Sequence, residues 1–161
     1  MLEQLEIYID AQKTIANYML AFGFIMLLLA ILIHFLGSDA LLLGLKIGLV
    51  VFGLFSSVGG YGYKMTEEKL LKSQTLLYQV NTEEFHQKEK ERMEKVVKYF
   101  PLIQIVFVTI VIISLVTNLF LDKAIIKGIL FSIVVFSVGN MIIESVSKKS
   151  VDTYFEKLSN L

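Results

Sequence analysis

The sequence predicts an all-α integral membrane protein in which four transmembrane helices form two hairpins, extended by a cytoplasmic helical bundle. The 161-residue chain is 55% apolar and 19% charged, with a mean hydropathy of +0.68. Soluble domains are about 45–50% apolar and about 25% charged, so this composition indicates that lipid is the solvent. Four continuous apolar runs are each long enough to cross a hydrocarbon core of about 30 Å as a helix. A β-barrel is excluded because its strands alternate between apolar and polar residues.

The first two spans form one predicted hairpin. Span one covers residues 18–36 and is apolar except for His34, and span two covers residues 40–63, with Lys46 near its start. Only residues 37–39 separate them. A link this short predicts that the two helices are antiparallel neighbours.

The last two spans form the second predicted hairpin. Span three covers residues 99–121 and carries no charge, whereas span four covers residues 124–143 and has Lys127 near its start. The link between them consists of Asp122 and Lys123. The chain is therefore expected to cross the membrane as a multi-pass protein with an even number of spans.

The distribution of positive charge predicts the orientation of the spans. One Lys lies in the N-terminal arm, eight Lys or Arg lie in the linker 64–98, and three follow residue 143, against one in the short turns. Because cytoplasmic loops carry the excess of Lys and Arg, both termini and the linker are expected to be cytoplasmic. A composition rich in Lys, Ile and Leu, without Cys or Trp, suggests a bacterial inner (plasma) membrane.

An internal duplication is predicted from two correspondences. The segment 57–60, Ser-Val-Gly-Gly, recurs at 137–140 as Ser-Val-Gly-Asn, and Lys46 corresponds to Lys127. We therefore divide the chain into a first repeat, 1–80, and a second, 81–161, related as parallel repeats because both hairpins enter from the cytoplasm. The alternative is that any two hairpins in lipid resemble each other by composition.

Amphipathic segments before span one, in the linker and after span four predict that all four spans continue into the cytoplasm as a helical stalk. Asn81 followed by Glu84 is typical of a capping box that starts the second linker helix. In the charge-rich segment that follows, the candidates for docking a cytosolic protein are Lys88, Arg92 and Lys95. The alternative is an ion-paired, solvated surface.

The single proline, Pro101, falls where the second linker helix enters span three. A proline inside a helix removes a backbone hydrogen bond and bends the helix, whereas at the first position of a helix it fits well. Pro101 is therefore either a hinge between stalk and membrane or a plain helix start.

Small or polar residues recur in spans two and four, mostly at four-residue intervals. In lipid such faces let helix backbones approach closely, and hydrogen bonds between helices add to the contact. We expect them to pack the repeats together or to join protomers of a homo-oligomer, with pore lining as the alternative. They are Gly44, Gly48, Ser56, Gly60, Gly128, Ser132 and Asn140.

A set of ionisable residues lies near the predicted outer boundary, and we call it the outer cluster. A charge within hydrocarbon either pairs or extends to the interface, so simple pairing is the plain interpretation. A charged ring at the mouth of a permeation path is the alternative. The outer cluster consists of His34, Asp39, Lys46, Asp122 and Lys127.

The composition argues against several function classes. The chain has no Cys, two His and no net charge, which disfavours metal or cofactor sites and nucleic-acid binding. No glycine-rich nucleotide loop, H-E-x-x-H or G-x-S-x-G motif occurs, so an enzyme is not expected.

The predicted function is a non-enzymatic, oligomeric membrane platform that recruits or senses a cytosolic partner through its stalk. The alternatives are a homo-oligomeric ion channel or gated pore, and an immunity or accessory subunit of a membrane complex. Small four-span proteins with cytoplasmic helical extensions include components of bacterial defence and toxin systems, a similarity of architecture only.

Overall fold

The computed structural model describes residues 1–160, and Leu161, the end of the predicted second repeat, lies outside the described residues. The described residues form four α-helices, each long and apolar enough to cross a membrane. The prediction of an all-helical protein with four membrane-compatible helices is therefore confirmed. In chain order they are α1 (Leu2–Leu36), α2 (Ala40–Val80), α3 (Thr82–Phe120) and α4 (Ala124–Ser159).

The helices are about twice as long as a bilayer requires. The longest, α2, has 41 residues, which at about 1.5 Å per residue corresponds to roughly 60 Å. We call the part of each helix within a predicted span its apolar half and the remainder its polar half. The polar halves are residues 2–17, 64–80, 82–98 and 144–159, and the apolar halves are 18–36, 40–63, 99–120 and 124–143.

Short polar turns fix where two of the helices begin. Asp39 caps α2, because its Oδ1 accepts a hydrogen bond of 2.8 Å from the backbone N–H of Leu42. Asn81 is the only residue between α2 and α3, and its Oδ1 accepts a bond of 3.1 Å from the N–H of Glu84. The sequence predicts this second cap, which satisfies one of the free N–H groups at the start of α3.

The polar halves pack around a hydrophobic core of their own. Leu5, Ile9, Phe85 and Met93 are fully buried in it. Residues of α4 complete this core, and Tyr78 of α2 packs edge-on against Phe85 with ring centroids 5.2 Å apart. The polar halves therefore form one four-helix bundle, because each helix buries its apolar stripe against the others.

In the apolar half, α2 and α4 approach until their backbones touch. A Cβ atom added at Gly44 would overlap the backbone of Ile125, and one added at Gly128 would overlap the backbones of Leu41 and Leu45. Glycine is required at both positions because any side chain would push the helices apart.

Polar side chains add to the α2–α4 contact. Ser132 contacts Gly48 and donates a hydrogen bond of 3.0 Å to the carbonyl oxygen of Leu45. Asn140, also buried, donates to the carbonyl oxygen of Phe136 in its own helix at 2.8 Å. These bonds satisfy side-chain donors that would otherwise be costly in an apolar environment.

The other side of α2 packs against α1 in the same manner. A Cβ atom at Gly23 would lie 2.6 Å from the carbonyl oxygen of Gly53, and one at Gly60 would lie 2.8 Å from that of Ala16. Ser56 is buried and donates a hydrogen bond of 2.9 Å to the carbonyl oxygen of Met19. Helix α2 is thus held on two sides by close backbone contacts.

The apolar half of α3 is less enclosed. It packs mainly on α4, and among residues 1–160 no Cα atom of α1 lies within 8 Å of one of α3. Leu102, Ile105 and Ile112 are all more than half exposed, as suits side chains that face lipid. Near the far end, Asn118 Nδ2 donates to the carbonyl oxygen of Lys127 at 3.3 Å.

Candidate functional site at the boundary of the polar and apolar halves

Polar and ionisable side chains of all four helices meet where the polar half adjoins the apolar half. The first is Gln12, which lies on the buried stripe of α1 between Ile9 and Ile15. At helical spacing a residue three positions from each of these faces the same core. Gln12 is fully buried, so its amide must find partners inside the protein.

Gln12 connects α1 to α2 and α4. Its Oε1 accepts hydrogen bonds from the Tyr63 hydroxyl at 2.9 Å and the Ser147 hydroxyl at 3.0 Å, while its Nε2 donates to Ser150 Oγ at 2.8 Å. Ser150 in turn donates to the carbonyl oxygen of Ser147 at 2.8 Å. One side chain therefore fixes the positions of three helices at this level.

A buried ion pair lies within the same region of α3. Arg92 donates from Nε and Nη2 to the two carboxylate oxygens of Glu89 at 2.8 and 2.6 Å, and Glu89 is fully buried. The Arg92 guanidinium carbon also lies 5.5 Å from the ring centroid of Tyr8, which stacks on Tyr154 at 4.6 Å. The positive charge of Arg92 is thus compensated inside the protein by the carboxylate of Glu89 and the ring of Tyr8.

Glu67 of α2 is a second buried carboxylate, only 5% exposed. Among the described residues, its Oε2 has no hydrogen-bond partner. Burial raises the pKa of the Glu67 carboxyl, against the lowering effects of the Arg92 charge and of the Tyr63 hydroxyl. A carboxyl buried without a partner is costly unless it is protonated or meets a cation.

These residues line a cavity of about 660 Å³, which we call the boundary cavity. Side chains of all four helices form its wall, including Gln12, Glu67, Arg92, Glu144 and Ser147. Within residues 1–160, Glu144 forms no ion pair or hydrogen bond through its carboxylate. Over the same residues, no group of three or more His, Cys, Asp or Glu is arranged to hold a metal ion. Over the described residues the cavity therefore has a largely apolar wall that carries acidic groups and no metal-binding cluster.

A shallower groove of about 450 Å³ runs between α1 and α4 on the outer side of the polar half, and we call it the α1–α4 groove. Its floor is largely apolar and includes Ile7 and Val146, each at least half exposed. Among residues 1–160, the charged residues that line it are Lys149 and Lys157 alone.

The structure separates the three docking candidates. Lys88 is exposed and pairs with Glu84 at 2.6 Å, and Lys95 is also exposed. Arg92 instead points into the bundle and binds Glu89, so it belongs to the boundary site and not to the exposed face. Pro101 lies inside the continuous helix α3, next to Phe100 in the wall of the boundary cavity.

The members of the outer cluster are not joined to one another. Within residues 1–160, no hydrogen bond or ion pair connects any two of them. Asp39 serves as a helix cap, and Lys46 Nζ donates to the carbonyl oxygen of Gly37 at 3.4 Å. His34 packs edge-on against its neighbour Phe35.

Sequence reasoning missed most of the boundary site. It gave no role to Glu67 or Glu144, and it placed Glu89 in the charge-rich segment interpreted as a docking or solvated surface. The sequence signal that could have revealed these residues is a polar residue at a core position of an amphipathic helix. Glu89, for example, lies four residues from both Phe85 and Met93, which are buried.

Comparisons with protein-family models, with curated proteins and with solved structures find no match for this chain.

Proposed function

We propose that this protein is a non-enzymatic, oligomeric membrane platform whose polar half lies in the cytoplasm and recruits or senses a cytosolic partner. The observation that supports this most directly is the packed core of the polar half, to which all four helices contribute. Nearly half of the chain extends beyond the apolar halves as one bundle. Three short turns would be enough to connect four membrane-spanning helices, so such a bundle suggests that it presents a surface.

The α1–α4 groove is the proposed docking surface. Its apolar floor suits the apolar face of an amphipathic helix, which would insert side chains at i, i+3 and i+4 spacing. Because the charged lining residues in the described part of the chain, Lys149 and Lys157, are both basic, the partner helix is expected to carry acidic residues beside that face. The exposed residues Lys88 and Lys95 on α3 provide the comparison surface.

The test is site-specific photo-crosslinking in the native membrane, with the crosslinker placed at Ile7 or Thr153 in the groove or at Lys95 outside it. We expect one cytosolic protein to crosslink at both groove positions. The double variant Lys149→Glu/Lys157→Glu should abolish that crosslink, because it replaces attraction with repulsion. The matched variant Lys88→Glu/Lys95→Glu should retain it. Retention in the groove variant, or loss only in the α3 variant, would reject the groove as the docking surface.

In the proposed oligomer, two copies of the chain must contact each other through a surface other than the small-residue faces of α2 and α4. Gly44, Gly48, Gly128 and Ser132 are buried between α2 and α4 of one chain, where a second copy has no access to them. The native mass of the purified protein measures the oligomeric state directly.

The pore alternative has less support. Helix α2 is in backbone contact with both α1 and α4, which leaves little room for a path among those three helices. The residues of the outer cluster do not form a shared charged ring within one chain. No specific feature favours the accessory-subunit alternative over the platform.

A further inference from the structure

We propose that the boundary cavity binds an organic ammonium group, with the Glu67 carboxylate as its principal partner. This site is separate from the α1–α4 groove, and the inference does not depend on the docking proposal. The proposed class of ligand is a positively charged amine on an apolar chain.

The first support is the unpartnered atom of Glu67. Its side chain is 5% exposed, and Oε2 has no hydrogen-bond partner among residues 1–160. Buried polar atoms in native proteins nearly always have a partner, so an exception beside a cavity marks a position where a ligand or a bound water supplies that partner. An ammonium group supplies both the hydrogen bonds and the charge that this oxygen lacks.

The second support is the balance of charge around the cavity. Of the described residues, Arg92 is the one basic residue in its wall, and Glu89 already binds that guanidinium through two hydrogen bonds. Glu67 and Glu144 line the same cavity without such a partner. An incoming cation would therefore meet two acidic groups and no uncompensated positive charge.

The third support is the shape and chemistry of the wall, which fit an organic cation better than a metal ion. A volume of about 660 Å³ is far larger than a bare ion occupies, and no metal-binding group of three ligands is present among the described residues. Tyr63 and Tyr99 are part of the wall, in addition to Tyr8, whose ring already contacts Arg92 and Tyr154. Aromatic rings beside carboxylates are the usual surroundings of bound organic ammonium groups.

The position of the cavity suggests why the ligand carries an apolar chain. Ile15, Met19 and Ile103 form an apolar part of the wall on the side of the apolar half. A ligand with an ammonium head and an alkyl tail satisfies both parts of the cavity. Such a ligand is either the ethanolamine headgroup of a membrane lipid or a soluble alkylamine.

The experiment uses the full chain in nanodiscs of phosphatidylglycerol, titrated with hexylammonium and, as an uncharged control, hexanol. Binding is followed by tyrosine fluorescence, since the chain has seven Tyr and no Trp. We expect hexylammonium to bind wild type at least about tenfold more tightly than Glu67→Gln, the loss expected for a charge-assisted hydrogen bond. Hexanol should not distinguish the two proteins. Glu68→Gln, which changes the next carboxylate of α2 outside the cavity wall, should bind hexylammonium like wild type.

A second arm identifies the source of the amine. Native mass spectrometry compares retention of phosphatidylethanolamine and phosphatidylglycerol by wild type and Glu67→Gln. Preferential retention of phosphatidylethanolamine by wild type alone assigns the site to the lipid headgroup, and equal retention together with hexylammonium binding assigns it to a soluble amine. Equal hexylammonium binding by wild type and Glu67→Gln, or no binding to wild type, would overturn the proposal.

The folding of the variants is checked by their thermal unfolding midpoints. Glu67→Gln keeps the side-chain shape and removes an unpartnered acid, so its midpoint without ligand should be no lower than that of wild type. Glu144→Gln provides a second test, because it should weaken hexylammonium binding by a smaller factor. An unchanged affinity in Glu144→Gln would remove Glu144 from the site.

Discussion

At the scale of single residues, Gln12 joins three helices through one side-chain amide. Replacing it with Leu keeps the volume but leaves the buried Ser147 hydroxyl and the partly buried Tyr63 hydroxyl without their acceptor. We expect Gln12→Leu to lower the free energy of unfolding by about 2–3 kcal/mol, the cost of buried polar groups left unpaired. Thermal or denaturant unfolding in detergent micelles measures this change.

The control for Gln12→Leu is Thr14→Ala on the exposed side of α1, where the hydroxyl bonds only to the carbonyl of Asp10 in its own helix. That variant should unfold within about 0.5 kcal/mol of wild type. If Gln12→Leu were equally mild, the Tyr63 and Ser147 hydroxyls would have other partners, such as bound water.

Replacing one member of the buried pair Glu89–Arg92 should lower the free energy of unfolding much more than replacing both members together. Arg92→Met leaves the fully buried Glu89 carboxylate without its counter-charge, which costs about 3–5 kcal/mol. The double variant Glu89→Leu/Arg92→Met should recover most of that loss. Lys88→Met breaks an exposed pair with Glu84 and should cost less than about 1 kcal/mol. Equal effects at the buried and exposed pairs would contradict the burial of Glu89.

Glu67 gives the unfolding free energy a defined pH dependence. Burial raises the pKa of its carboxyl above the ordinary value of 4.5, so the folded group stays protonated after the unfolded one has ionised. As pH rises above 4.5 toward the raised pKa, the unfolded chain releases a proton first, and stability falls. The titratable and charged groups that face Glu67 are Tyr8 and Lys13 of α1, Tyr63 of α2, Glu89 and Arg92 of α3 and Glu144 of α4.

The variant Glu67→Gln isolates this contribution. Its unfolding free energy should decline less than that of wild type as pH rises above 4.5. Parallel stability curves of the two proteins across that window would show that Glu67 titrates normally when folded.

At the scale of the helices, two glycines of α2 should respond in opposite ways to the same substitution. Gly44→Ala places a methyl group against the backbone of α4 and should cost about 1–3 kcal/mol. Gly62 has no neighbouring atom within 4 Å of an added Cβ, so Gly62→Ala should stabilise α2 by about 0.5–1 kcal/mol through helix propensity. Unfolding midpoints of both variants test the contact, and a neutral Gly44→Ala would mean that α2 and α4 lie further apart.

Much of the helical architecture follows from local sequence signals. Continuous apolar runs predict the helices, and Asn81 with Glu84 predicts the start of α3, because both signals are encoded within a few residues. The pairing of α2 with α4 is harder to predict from the sequence. The small residues at Gly44 and Gly128 predict close packing, but not whether the partner helix belongs to the same chain.

The boundary site depends on contacts between residues far apart in the chain, which periodicity does not specify. Gln12 and Ser147 are brought together only by the packing of α1 against α4. Arg92 resembles its exposed neighbours in the sequence, and only the three-dimensional position of Tyr8 and Glu89 distinguishes it. A polar residue within an apolar stripe indicates that a network exists, whereas its partners require the structure.

At the scale of the whole molecule, the excess of positive charge predicts which end faces the cytoplasm. Because the chain has no Cys, each introduced Cys is a unique probe. We expect Ser38→Cys, in the turn between α1 and α2, to react with a membrane-impermeant maleimide on intact cells. Glu83→Cys, at the opposite end of the bundle, should react only after the cells are opened. The reverse labelling pattern would invert the proposed topology and place the α1–α4 groove outside the cell.

The limited packing of α3 in the apolar half has a consequence for biosynthesis. Its main neighbour there, α4, follows it in the chain, so α3 leaves the ribosome before that neighbour has been made. In the proposed membrane topology α3 therefore enters the bilayer before α4, and its largely Val, Ile and Leu surface suits contact with lipid until α4 follows. The boundary cavity, whose wall includes residues of α3 and α4, is thus completed only after the last span has been inserted.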